Sequence, residues 1–128
     1  MTPARLAVLF CAPALWAAPT TASASGLTCT FTQICAPQVG CRSSDGVPFD
    51  FALISGALSY AGPNGPVFGT PLPHVTPPNS ANLFELSDSG TALLTLSDTG
   101  EAAWTEQGIA PGGQNQAVSY YGTCAPAT

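Results

Sequence analysis

From residue 27 onward, hydrophobic and polar positions alternate along most of the chain. In the run 27–35, Leu27, Cys29, Phe31, Gln33 and Cys35 fall on one face, with three threonines and Ile34 on the other. Alternation carried by β-branched and aromatic residues predicts a strand. The run 48–55 repeats it, with Phe49, Phe51 and Leu53 opposite Asp50, Ala52 and Ile54. Residues 57–60 extend that strand beyond Gly56 through a bend or bulge. Residues 61–81, with six prolines and three glycines, break the pattern. Proline removes ladder donors and restricts its predecessor. This stretch therefore reads as a long loop holding at most a short edge strand at Val67–Phe68.

A meander follows. Asn82, Phe84 and Leu86 share a face, as do Ala92, Leu94 and Leu96, and then Ala102, Trp104 and Glu106. The joints are Ser-Asp-Ser-Gly at 87–90 and Ser-Asp-Thr-Gly at 97–100, which suit type I hairpin turns. In the last run Val118, Tyr120, Gly122 and Cys124 alternate with Ala117, Ser119, Tyr121 and Thr123. No window has helical periodicity with caps. The expected fold is all-β, a small antiparallel sandwich or barrel of about six to seven strands.

The first residues follow a different pattern. Arg5 precedes a thirteen-residue apolar run, Leu6–Ala18, shorter than the about 20 residues of a membrane span. Ala22 and Ala24 then form an A-x-A site, so residues 1–24 read as a secretory signal peptide. Cys11 lies inside the apolar run behind the bulky Phe10, which does not suit lipid attachment. Residues 25–128 are then a single exported domain, secreted or periplasmic, with a bacterial envelope as the expected setting and no membrane insertion after signal removal. A chain of this size buries a modest core, so covalent staples would help it.

Charge narrows the partners. Residues 25–128 carry one basic residue, Arg42, against seven acids, a net charge of −6. Nucleic-acid binding needs several cations to neutralise phosphates, so it is excluded as an expectation; a basic protein is the partner that charge allows. Cysteines 29, 35, 41 and 124 form an even set in an exported chain, which reads as two disulfides. Three connectivities are possible. Pro37 and Gly40 let the segment between Cys35 and Cys41 turn back on itself, which leaves Cys29 for Cys124. The spacing lacks the C-x2-C pair of a zinc site. Neither a metal nor a cofactor is expected.

Asp-Ser-Gly at 88–90 and Asp-Thr-Gly at 98–100 spell the catalytic tripeptides of aspartic proteases. Such a dyad needs its carboxylates about 3 Å apart. One intervening strand at ~3.3 Å per residue places Asp88 and Asp98 about 20 Å apart, so the tripeptides read as turns. Each turn offers too few oxygens for calcium. His74 is the only histidine, no serine sits in a G-x-S-x-G elbow, and the chain has no lysine. Glu101 and Glu106 fall on opposite faces of their strand, which disfavours a glycosidase pair. An enzyme is not expected. Trp104 reads as core. Tyr120 and Tyr121 point to opposite faces, and with His74 in the proline-rich stretch they form the expected binding surface.

The segment Ser97–Gly108, "SDTGEAAWTEQG", resembles periplasmic lysozyme inhibitors of the small β-barrel type, which pair a Ser-Gly turn with a Trp-Lys-Gly strand. Gln107 stands where those proteins have lysine. The likeness covers this segment alone and does not assign the chain to that family; it implies an inhibitor-like role. The expected function is a small exported, non-catalytic binding module, in its sharper form an inhibitor of a cationic envelope-directed protein. The alternatives are a structural envelope component without a discrete ligand and, least favoured, a small hydrolase.

Overall fold

A computed structural model describes residues 26–86 and 90–127. Eight strands run in chain order: β1 Gly26–Ala36, β2 Gly40–Ile54, β3 Ala57–Gly62, β4 Gly65–Pro71, β5 Ser80–Leu86, β6 Gly90–Leu96, β7 Glu101–Ile109 and β8 Asn115–Pro126. Each pairs antiparallel with the next, and β8 pairs with β1, which closes the barrel. The expected signal peptide, residues 1–24, and the expected turn at Asp88 lie outside the described residues.

The architecture is a barrel of eight strands, where the sequence suggested six or seven and left a sandwich open. One additional strand comes from Ser55–Gly56. Both residues have positive φ, 51° and 81°, the geometry of a two-residue hairpin turn whose twist matches its strands. The expected bend is thus a full reversal, and β3 runs back along β2.

The other correction concerns 61–81. About half of this expected loop is strand: the end of β3, all of β4 and the start of β5, joined by the turn at 63–64 and the connection 72–79. The prolines fit because β4 is staggered. Gly65–Phe68 pair with β3, whereas Gly69–Pro71 pair with β5. Each half of β4 bonds one neighbour, so Pro66 and Pro71 each lie in a one-sided ladder, where the missing donor costs little. Gly69 pairs with Phe84, and a Cβ there would come within 2.7 Å of the Phe84 ring. Glycine makes room for that ring inside the barrel.

Apolar side chains fill the interior. Phe31, Phe84, Leu94 and Trp104 are almost wholly buried, and Phe49, Tyr60 and Tyr120 pack against them. Trp104 lies at the centre, its ring 5.1 Å from Phe49, 5.2 Å from Phe84, 5.5 Å from Phe51 and 5.6 Å from Tyr60. Each fully buried side chain of this size contributes about 1.5–3 kcal/mol, and well-oriented ring pairs add about 0.5–1.5 kcal/mol each. Threonines 28, 30, 95 and 123 are exposed on the outer wall.

Cys29, which is buried, and Cys124, which is half-buried, are register partners and form a disulfide across the β1–β8 seam. Cys35 and Cys41 are partners across the β1–β2 hairpin and form the second. Both pairings are as expected. The face of Cys35 is not. A register shift between Phe31 and Gln33 flips the parity of β1, because a bulge inserts one unpaired residue. Gln33 then pairs with the outward Tyr121, and Ile34 pairs with Tyr120.

Candidate functional site

The strand connections gather at the two ends of the barrel. One end carries the Ser55–Gly56 turn, the 72–79 loop, the 97–100 turn and both termini of the described chain. The other carries the 36–40, 62–65 and 109–115 connections, the end of β5 and the start of β6.

The first end is tied down. In the 97–100 turn the Gly100 amide donates to the Ser97 carbonyl at 3.1 Å, and the Glu101 amide donates to Ser97 Oγ at 3.1 Å. The Asp98 amide donates to Asn79 Oδ1 at 3.0 Å, joining this turn to the 72–79 loop. The Cys124 amide donates to the Gly100 carbonyl at 2.8 Å. Asp98 is therefore part of a cross-braced hairpin turn, with its backbone doing the bonding, as the turn reading of Asp-Thr-Gly expects. Beside it the proline-rich loop borders an apolar groove lined by Leu27, Leu53, Leu58, Leu72, Val75 and Pro77.

The second end is chemically different. Glu106 pairs in register with Ala92 and Val118, on the same face as Trp104. It is an acid on the inner wall, and its Oε1 accepts a hydrogen bond from Trp104 Nε1 at 2.9 Å. That bond satisfies the buried indole donor, which would otherwise cost about 1–3 kcal/mol. Glu106 borders a depression lined by Leu86, Gly90, Gly108, Gln116 and Val118. Burial first, and then the Glu106 carboxylate, hold the Tyr60 and Tyr120 phenols above the ordinary tyrosine value; at Tyr120 the Arg42 guanidinium pulls the other way. Arg42 is exposed and is the register partner of Ile34.

The rim of this end is apolar at its tips. Val39, in the β1–β2 connection, is 77% exposed, and Ile109, at the end of β7, is 57% exposed. These are the highest values among the exposed large hydrophobic residues described. Single exposed apolar residues are ordinary; here two stand at one end of the barrel, and Ile109 lines the depression with the inward acid.

Of the three residues expected to form a binding surface, two lie on the outside and one points inward. His74 is exposed in the loop at the first end. Tyr120 points inward, its ring 5.9 Å from that of Phe31. Tyr121 points outward, 43% exposed, and borders a shallow groove with Val75 and Asn79 of the 72–79 loop. In the sequence Glu106 stands out only as half of a disfavoured carboxylate pair, and Tyr60 not at all. The signal for Glu106 was present, because alternation had set an acid on the Trp104 face. Tyr60 carried no such signal, since its strand was read as the tail of β2.

Comparison with known protein families, curated proteins and solved structures finds no match for this chain.

Proposed function

We propose that this chain is a small exported, non-catalytic binding module that meets a basic protein at the Glu106 end of its barrel. The observation that carries this reading is the inward Glu106 carboxylate, set among Trp104, Tyr60 and Tyr120 and rimmed by Val39 and Ile109. Exposed apolar tips beside a fixed charge suit a recognition surface, in which apolar contact gives area and charge fixes register. The chain as a whole carries seven acids against two basic residues, which steers a cationic partner toward it and repels an anionic one. Two disulfides suit an oxidising compartment, in keeping with a secreted or periplasmic location. The ring-filled interior leaves the working surface at the barrel end. The likeness of Ser97–Gly108 to lysozyme inhibitors makes a basic, envelope-directed enzyme the sharper form of the partner.

The test is capture from an envelope extract on the immobilised chain, with mass-spectrometric identification at low and rising salt. The expected result is a saturable basic protein that elutes as salt screens the contact. A low-salt eluate containing no basic protein overturns the reading.

A further inference from the structure

We propose that the Glu106 end of the barrel takes one cationic side-chain tip of the partner, an arginine or lysine, seated against the Glu106 carboxylate in the depression between Leu86, Gly108 and Val118. This rests on the basic-partner reading and adds to it the chemistry and place of the contact.

The geometry limits what can enter. Directly beneath Glu106 the interior is filled by Trp104 and the rings around it, so a bulky ligand has no room to descend. A side-chain tip needs only the depression itself. Glu106 already accepts the indole proton on Oε1, which holds its carboxylate in place. A carboxylate has two acceptor oxygens and capacity for further donors, and a held carboxylate loses less freedom when it meets a cation. Burial and the neighbouring rings lower the local dielectric and strengthen that meeting.

The other charged groups at this end set the position. Arg42 is the only basic residue from 26 to 127, and its influence falls on Tyr120 and not on Tyr60. The depression itself is lined by Leu86, Gly108, Ile109 and Val118 beside Glu106, with no basic residue among its lining. Asp45, exposed near the start of β2, adds to the negative field. Glu101, on the same strand as Glu106, faces the outer wall and serves as a control of equal charge.

The experiment uses the full chain with Trp16→Phe, so that Trp104 is its one indole, and follows Trp104 emission. The probes are the tripeptide amide N-acetyl-Gly-Arg-Gly and its Gln-centred counterpart. A saturable change with the arginine peptide and none with the glutamine peptide is expected. Glu106→Gln, which keeps an acceptor for the indole, should weaken the response about tenfold or more. Glu101→Gln, with the same net charge, should stay within about twofold. Val118→Lys, which places a tethered cation beside Glu106, should abolish the response; it carries the test if Glu106→Gln disturbs the fold by near-ultraviolet circular dichroism. No response to the arginine peptide, equal losses in the two glutamate variants, or full binding by Val118→Lys would each overturn the inference. So would free arginine amide binding as tightly as the tripeptide, which would make the ligand a small cation. A silent peptide alongside a captured basic protein sinks only this inference, whereas an eluate without one sinks the underlying reading as well.

Discussion

Each end of the barrel has a disulfide near it, and the two are set in different surroundings. Near the 72–79 loop the Cys29–Cys124 bridge closes the seam with Cys29 buried, and the neighbouring turns are cross-braced through Ser97, Asn79 and Gly100. At the Glu106 end the Cys35–Cys41 bridge clips a hairpin, Cys41 is exposed, and the tips carry Val39 and Ile109. The first bridge joins residues 95 apart and the second residues 6 apart. Closing the longer loop removes more freedom from the unfolded chain. The difference separates two tasks: the seam and the braced turns hold the cylinder closed, which leaves the other rim able to carry exposed apolar tips and an inward acid. Binding surfaces draw on the less stabilised parts of a fold.

The largest effect that could break this contrast is removal of a bridge. Cys29→Ser with Cys124→Ser should cost about 4–5 kcal/mol, and Cys35→Ser with Cys41→Ser less than about 3 kcal/mol, on the chain-entropy account. Urea unfolding monitored at Trp104 measures both; equal losses would remove the distinction. Next come side chains. Leu58→Ala, in the buried wall near the loop, should cost about 2–4 kcal/mol. Ile109→Ala at the open rim should change stability by no more than about 0.5 kcal/mol while weakening capture of a basic partner. Asn79→Ala should cost about 1 kcal/mol by removing the acceptor for the Asp98 amide; an unchanged melting temperature would mean that this brace is idle.

The smallest effect is a pH dependence confined to the Glu106 end. The folded state raises the Tyr60 and Tyr120 phenols, so it binds their protons more tightly than the unfolded chain does. The stability they contribute is complete below the unfolded tyrosine value of about 10 and is lost as pH rises through the higher folded values. Melting temperature should therefore fall above about pH 10. Tyr60→Phe with Tyr120→Phe should flatten that fall; a slope unchanged in the double variant would place the alkaline sensitivity elsewhere.

Much of this fold is legible in local pattern. The period of two that set Ala92, Leu94 and Leu96 on one face, and Ala102, Trp104 and Glu106 on another, survives into the barrel because pleating fixes side-chain direction residue by residue. The same holds for Val118, Tyr120, Gly122 and Cys124. The pattern failed where a local rule had two outcomes. Ser55–Gly56 could bend a strand or reverse it, and a proline-rich stretch could be a loop or a strand bonded on one side at a time. At the candidate site the alternation placed Glu106 beside Trp104. It could not bring Tyr60 to the same rim, because that depends on how β3 pairs.

The sequence by itself determined the all-β class, the inward faces of the strands around Phe51, Leu94, Trp104 and Tyr120, the turn role of Asp-Thr-Gly and the short Cys35–Cys41 closure. All of these follow from neighbours a few residues apart. Tertiary structure alone decided that eight strands close on themselves, that the bulge after Phe31 turns Cys35 outward, and that Tyr60, Glu106 and Tyr120 converge on one rim. Register and closure depend on pairings between distant segments, where a one-residue slip reverses every face, and no local period specifies which slip is taken.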